Sequence, residues 1–152
     1  MRMRLRRRLL RVLAPFAAGF GAAACVIGTS WKTVNRVEGP VLVSLTHAVL
    51  DGDKREDFDE YVFIVADAME RGNIPGLVGF RIRKELFGDE VWTMSAWESE
   101  EALADFVRSD VHRKAMRVGR PAIVRMKTRR LTVDGAEVPI GWDRAQAEFD
   151  GE

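Results

Sequence analysis

The stretch Leu77-Val-Gly-Phe-Arg-Ile-Arg-Lys-Glu-Leu86, Phe87-Gly-Asp-Glu90, Val91-Trp-Thr-Met-Ser-Ala-Trp97 decides the fold. Its opening run alternates, with Val78, Phe80 and Ile82 set against Arg81, Arg83 and Glu85, the period-two pattern of a half-buried strand. Phe87 to Glu90 holds Gly88 and Asp89, which suit a tight reversal, and Val91 to Trp97 is again extended in character, so the two runs form a hairpin. Upstream, Gly72-Asn-Ile-Pro-Gly76 breaks a helix whose stripe of Phe58, Tyr61, Val62, Val65, Ala68 and Met69 runs to about Arg71. Asp51-Gly52-Asp53 supplies the turn and cap before that helix, and Val41 to Leu50, rich in β-branched residues, reads as a buried strand. Downstream, Ser99 followed by Glu100 and Glu101 starts a second helix with Ala102, Leu103, Phe106 and Val107 on its apolar face. A short helical piece from Asp110 to about Val118 follows, and Arg125 to Val133 completes the sheet.

The order is β-α-β-β-α-β, so residues 41–134 read as a ferredoxin-like α+β sandwich. Its helices cover one sheet face, and a second copy of the chain is the economical cover for the other. The tail, 135–152, carries Pro139, Trp142 and Phe149; the last two are seven apart, so a short helix can dock both on the domain or on a partner subunit.

A length of 152 residues suits one domain, and 31% charged with 47% hydrophobic residues places the chain among folding sequences. One cysteine excludes an internal disulfide and any multi-cysteine zinc site. The formal charge of +1 is unevenly spread: Arg2, Arg4, Arg6, Arg7, Arg8 and Arg11 stand in a start without acids, and without those six the balance becomes −5. From Val12 to Trp31 no residue is charged, so residues 1–31 have the shape of an N-terminal hydrophobic helix, either a membrane anchor spanning through residues 9–31 or a signal segment. Ala22-Ala23-Ala24 offers small residues for a signal-peptidase site, Cys25 partly resembles a lipoprotein site, and Trp31 suits an interfacial anchor. A retained anchor is slightly favoured over a cleaved signal. In every case the arginines stay cytoplasmic and the domain lies on the non-cytoplasmic side, tethered or secreted. Residues 32–40, ending in Glu38-Gly39-Pro40, read as a linker.

The segments Ile74-Pro-Gly-Leu-Val-Gly-Phe80, Val91 to Trp97 and Glu98 to His112, with Trp97, an acidic helix start, then Ser109 and His112, resemble the antibiotic-biosynthesis-monooxygenase family. The resemblance, over roughly Val41 to Val133, implies a homodimer in which two sheets close an α/β barrel, with a pocket between sheet and helices in each protomer. It also implies a small aromatic or apolar ligand and cofactor-independent oxygenation. In the haem-degrading branch a tryptophan and, ten residues on, a histidine iron ligand stand where Phe106 and Met116 stand here, and the asparagine expected on the first strand is missing. No cofactor is therefore expected.

His47, on a face with Val43, Leu45 and Val49, is a general base or ligand contact if that face lines the pocket, or else a core histidine bonded to backbone. His112 closes the pocket as an acid or base, or caps its helix and satisfies a carbonyl. The fold can bring the first strand and second helix to one cavity, so these two are the candidate catalytic residues. Trp92 and Trp97, five apart, point to opposite sheet faces. With Thr46, Met94 and Phe106 they are the candidate ligand contacts, and large aromatics in a core are the alternative. Eight basic residues, from Arg113 and Lys114 through Arg117, Arg120, Arg125, Lys127, Arg129 and Arg130, stand without an acid between Asp110 and Asp134. They suit anionic ligands or lipid head groups, or form a solvated face; nucleic acid is disfavoured by export and the acidic balance. No phosphate loop, carboxylate pair or metal-ligand spacing is present. The second function consistent with the sequence is a non-catalytic ligand-binding module or accessory subunit of a membrane complex.

Overall fold

The structure is a computed structural model, and it describes residues 26–150. Six strands form one antiparallel sheet: β1 (Val26–Gly28), β2 (Lys32–Thr33), β3 (Pro40–Leu50), β4 (Leu77–Glu85), β5 (Glu90–Trp97) and β6 (Ile123–Asp134), in the order β1-β4-β5-β3-β6 with β2 also on β4. The helices are α1 (Arg55–Arg71), α2 (Glu100–Arg108), α3 (Asp110–Gly119) and a short α4 (Trp142–Ala147). Strands β3 to β6 with α1 and the α2–α3 pair reproduce the ferredoxin-like β-α-β-β-α-β order expected from the sequence.

The helix starts use the caps that the sequence offers. Ser99 Oγ accepts from the Ala102 N–H at 3.1 Å, and Ser109, which ends α2, caps α3 by accepting from the His112 N–H at 3.2 Å. One serine therefore divides the second helical stretch in two. Helices α1 and α3 lie close because Gly119 has no side chain: a Cβ there would stand 2.5 Å from the Tyr61 ring.

Three expectations change. A register shift between Leu77 and Gly79 puts a bulge in β4, so Val78 joins the core on the outer face while Phe80 and Ile82 turn toward the helices. Plain alternation cannot reveal that phase change. The boundary drawn at residue 31 also moves. Val26–Gly28 pairs with Arg83–Glu85, Lys32–Thr33 pairs with Gly79–Phe80, and Trp31 packs so closely on Gly79 that a Cβ there would lie 2.4 Å from its ring. Residues 26–33 thus belong to the sheet rather than to a span reaching residue 31 or a linker beginning at residue 32, and Trp31 serves packing. Residues 1–25, which hold the basic start and the rest of the apolar run, lie outside the described residues; among those described, no helix is long and apolar enough to cross a membrane.

The third change concerns the outer face. Val41, Val43, Leu45, Val78, Met94 and Ala96 are covered by Ile140, Ala145 and Phe149 of the chain's own tail, not by a second copy. Arg81 fastens this cover: its guanidinium donates to the Ile140 carbonyl and lies 4.3 Å from the Trp142 ring centroid. Because Phe149 fills the cover, Phe149→Ala should lower unfolding stability by about 3 kcal/mol in urea titration. Phe87→Ala, at a side chain 86% exposed in the β4–β5 turn, should stay within about 0.5 kcal/mol.

Candidate functional site

Between the helical face of the sheet and α1, α2 and α3 lies a cavity of about 440 Å³, within the usual range for small-molecule pockets of about 300–1,000 Å³. Its floor is polar for a simple reason. Strands β3, β5 and β6 carry hydroxyl residues at alternate positions, and the pairing brings them side by side: Thr46 stands opposite Thr93 and Thr128, and Ser44 opposite Ser95 and Arg130. The roof is apolar, built by Phe58, Tyr61, Val62, Val65 and Met69 of α1, Leu103 and Phe106 of α2, and Met116 of α3. Trp97 closes one end, fully buried, with its ring centroid 5.1 Å from that of Phe106. Its indole N–H donates to Ser95 Oγ at 2.9 Å, leaving the Ser95 hydroxyl hydrogen free for a ligand.

His112 reaches this cavity from the first turn of α3. Its Nδ1 lies 3.1 Å from the Val107 carbonyl oxygen, and its ring meets Phe106 edge-on with centroids 5.2 Å apart. A carbonyl only accepts, so Nδ1 carries the proton and the neutral ring keeps its lone pair on Nε2. Burial holds the imidazole below its ordinary value of 6.5, against the opposing pull of the Val107 carbonyl. The ring is therefore neutral near pH 7 and able to take a proton. Burial also raises the Tyr61 phenol, which stays protonated and can donate.

His47 is elsewhere. It alternates with Thr46 on β3, so its side chain emerges on the outer face, stacked on Trp92 at 3.9 Å between centroids with 7° between the planes and edge-on to Phe149 at 6.1 Å. Its Nε2 stands 3.3 Å from Glu90 Oε2 but lacks hydrogen-bond alignment, which leaves a buried ring nitrogen without a hydrogen-bond partner. The sheet thus separates His47 from His112, and the single cavity expected to hold both does not form. Trp92 follows His47 to the outer face, with Phe149 5.2 Å away. Met94, on the same face by alternation, packs in the outer core and borders the cavity only along the strand. Thr46, Trp97, Phe106 and His112 do come together at the cavity.

Ser44, Thr93, Ser95, Thr128 and Tyr61 are cavity residues that the sequence reading passed over. The available signal was hydroxyl side chains at every second position of three strands, on a face where an ordinary core carries aliphatic ones. Phe106 and Met116, at the positions of the haem-branch tryptophan and histidine, both line the cavity, so a thioether stands where that branch has an imidazole. These residues do not fit haem ligation by that arrangement. Among the described residues no three His, Cys, Asp or Glu side chains gather as a metal site.

Comparison with known proteins agrees with this geometry. Residues 50–118, which include α1, the β4–β5 hairpin, α2 and most of α3, match the family model described as antibiotic biosynthesis monooxygenase. The chain is antibiotic-biosynthesis-monooxygenase-like, and that match supports a monooxygenase-like or ligand-binding role. No curated protein matches the sequence. Among solved structures, a candidate antibiotic biosynthesis monooxygenase from Nitrosomonas europaea is similar, with a TM-score of 0.55 at 17% identity over 69% of this chain and 98% of that one. One from Caulobacter crescentus has a TM-score of 0.51 at 17% identity over 64% and 90% of the two chains. A candidate monooxygenase from Lactobacillus acidophilus has a TM-score of 0.53 at 13% identity, over 69% of this chain but 51% of that longer one. At such identities the likeness is one of fold.

The folded state disfavours protonated His112, so the unfolded chain binds that proton first as pH falls. The stability tied to this group is present above the ordinary imidazole range and is lost as pH drops through the lower folded value. His112→Gln should therefore flatten the acid-side slope of stability against pH near neutrality, read by urea midpoints across pH 5 to 8.

Proposed function

We propose that the cavity binds a small, flat aromatic or apolar ligand and that His112 takes a proton from it, in a cofactor-independent oxygenation of an electron-rich phenol. The observation that carries this reading is one neutral imidazole, with its lone pair on Nε2, facing an apolar cavity with a hydroxyl floor. The hydroxyls of Ser44, Thr46 and Thr93 make no hydrogen bond with other described residues, so they are open to the edge of a ligand. Deprotonation by His112 would make the ligand electron-rich enough to reduce dioxygen. Conversion of an activated methylene carbon then balances as R2CH2 + O2 → R2C=O + H2O, without a cofactor. Oxygen uptake with a panel of dihydroxyaromatic compounds tests this. His112→Gln should lower the rate by about 100-fold or more. His47→Gln, behind the sheet, should leave it nearly unchanged. Ligand binding, seen by quenching of Trp97 fluorescence, with no oxygen uptake by the native chain would favour the non-catalytic binding or accessory-subunit role.

The homodimer implied by the resemblance belongs to the same proposal. With the outer face filled by the tail, the surface left for a second copy is the free edge of β6, where Val124 and Met126 are exposed.

Export of the domain, tethered or released, is likewise proposed. Ala22 and Ala24 stand just before the first described strand, which supports removal of the leader after Ala24 over a span reaching Trp31. Protein recovered from outside the cytoplasmic membrane should begin at Cys25 by N-terminal sequencing. An intact start there overturns cleavage, and a domain accessible only from the cytoplasm overturns export.

A further inference from the structure

Helix α3 carries two adjoining stripes with different chemistry. His112 and Met116, four apart, face the cavity just described. Arg113, Arg117 and Arg120, spaced by four and then three, follow the next stripe around the helix end. They line an outer hollow of about 890 Å³ whose walls share Val107, His112, Met116 and Ile123 with the inner cavity. The two spaces are therefore continuous, with His112 and Met116 at the waist between an apolar chamber and a cationic vestibule.

The charges in the vestibule are one-sided. Neither space is lined by any Asp or Glu. Arg113 pairs with Asp110, a side chain 95% exposed, so water competes strongly for that pair. Arg120 donates from Nη1 to the Ile123 carbonyl at 3.0 Å, which ties it to the hollow's wall without neutralising it. Arg117 has no hydrogen bond or ion pair among the described residues. The eight basic residues without an intervening acid thus resolve into a feature with a place: three of them stand at the cavity's mouth.

We propose that the ligand is an amphipathic organic anion, an aromatic body in the inner chamber with a carboxylate in the arginine vestibule. This rests on the reading of the inner cavity as the ligand site and narrows it to a substrate class. A carboxylate suits the place because a guanidinium presents paired N–H donors in a plane that a carboxylate can match. The arginines are solvent-exposed, so each pairing is modest and salt-sensitive. The vestibule therefore supplies selectivity for charge, while burial of the aromatic body supplies most of the affinity.

A matched pair of probes tests this on the full-length chain by titration calorimetry: 2-naphthoate and 2-naphthalenemethanol, alike in the aromatic body and different in charge. At low salt the acid should bind about fivefold or more tightly than the alcohol. Arg117→Gln should remove much of that preference and the double variant with Arg113→Gln the rest, while affinity for the alcohol stays the same. Arg144→Gln, at an exposed pair with Glu137 in the tail, should keep the full preference. Equal binding of acid and alcohol to the native chain overturns the anionic class and leaves the inner cavity as a ligand site. A preference that survives the double variant also overturns it. Failure of both probes to bind overturns the reading of the inner cavity, and this inference with it.

Discussion

Strand β3 is hydrogen-bonded along both edges, to β5 on one side and β6 on the other, and every second residue leaves it toward a different environment. Val41, Val43 and Leu45 go one way, into an apolar core nearly closed to solvent. Ser44, Thr46 and Ala48 go the other way, onto the floor beneath the helices. A slip of one residue in its pairing would put three hydroxyl or small residues into the apolar core and leave three aliphatic ones lining the cavity, so the two faces hold the register between them. The division of this protein into a structural side and a ligand side depends on that alternation.

The structural side is completed by the tail. A sheet with helices on one face leaves its other face to be covered, and here Ile140, Ala145 and Phe149 return to do so. Arg81 holds the returning segment by its backbone and by the Trp142 ring, and burial, with Arg83 nearby, lowers the affinity of its guanidinium for a proton. The same cover confines His47 between Trp92 and Phe149, so an imidazole that could have served chemistry is part of an aromatic stack. At the opposite edge of the sheet, β1 and β2 lie along β4 and protect it from exposure.

The ligand side gains its character from the pairing of hydroxyl strands with apolar helices. Such a chamber suits a flat molecule with polar groups on one edge, and its one buried imidazole is oriented by a backbone carbonyl, not by a second titratable side chain. Helix α3 joins this chamber to the solvent through its arginine stripe, so a single ten-residue helix presents a base, a thioether and three cations in succession. Ser109 makes this possible: by ending α2 and capping α3 it turns the chain, and His112 enters the cavity from the new helix's first turn.

The sequence by itself determined the order of elements, because the hairpin from Leu77 to Trp97, the stripe from Phe58 to Met69 and the serine caps are local patterns with local causes. It also determined that Trp92 and Trp97 face opposite ways, since alternation within one strand needs no knowledge of the rest. Half of the candidate site was legible on the same terms: Thr46, Trp97, Phe106 and His112 do meet. Only the tertiary structure decided which face of β3 is the ligand's, because that depends on where the helices and the distant tail settle, and His47 and Trp92 went to the other side for that reason. It likewise decided that a bulge turns Val78 away from Phe80, and that Trp31 packs on Gly79 rather than marking a membrane boundary. Period and composition report the burial of a residue; the partner that buries it is set by chain segments far away in sequence.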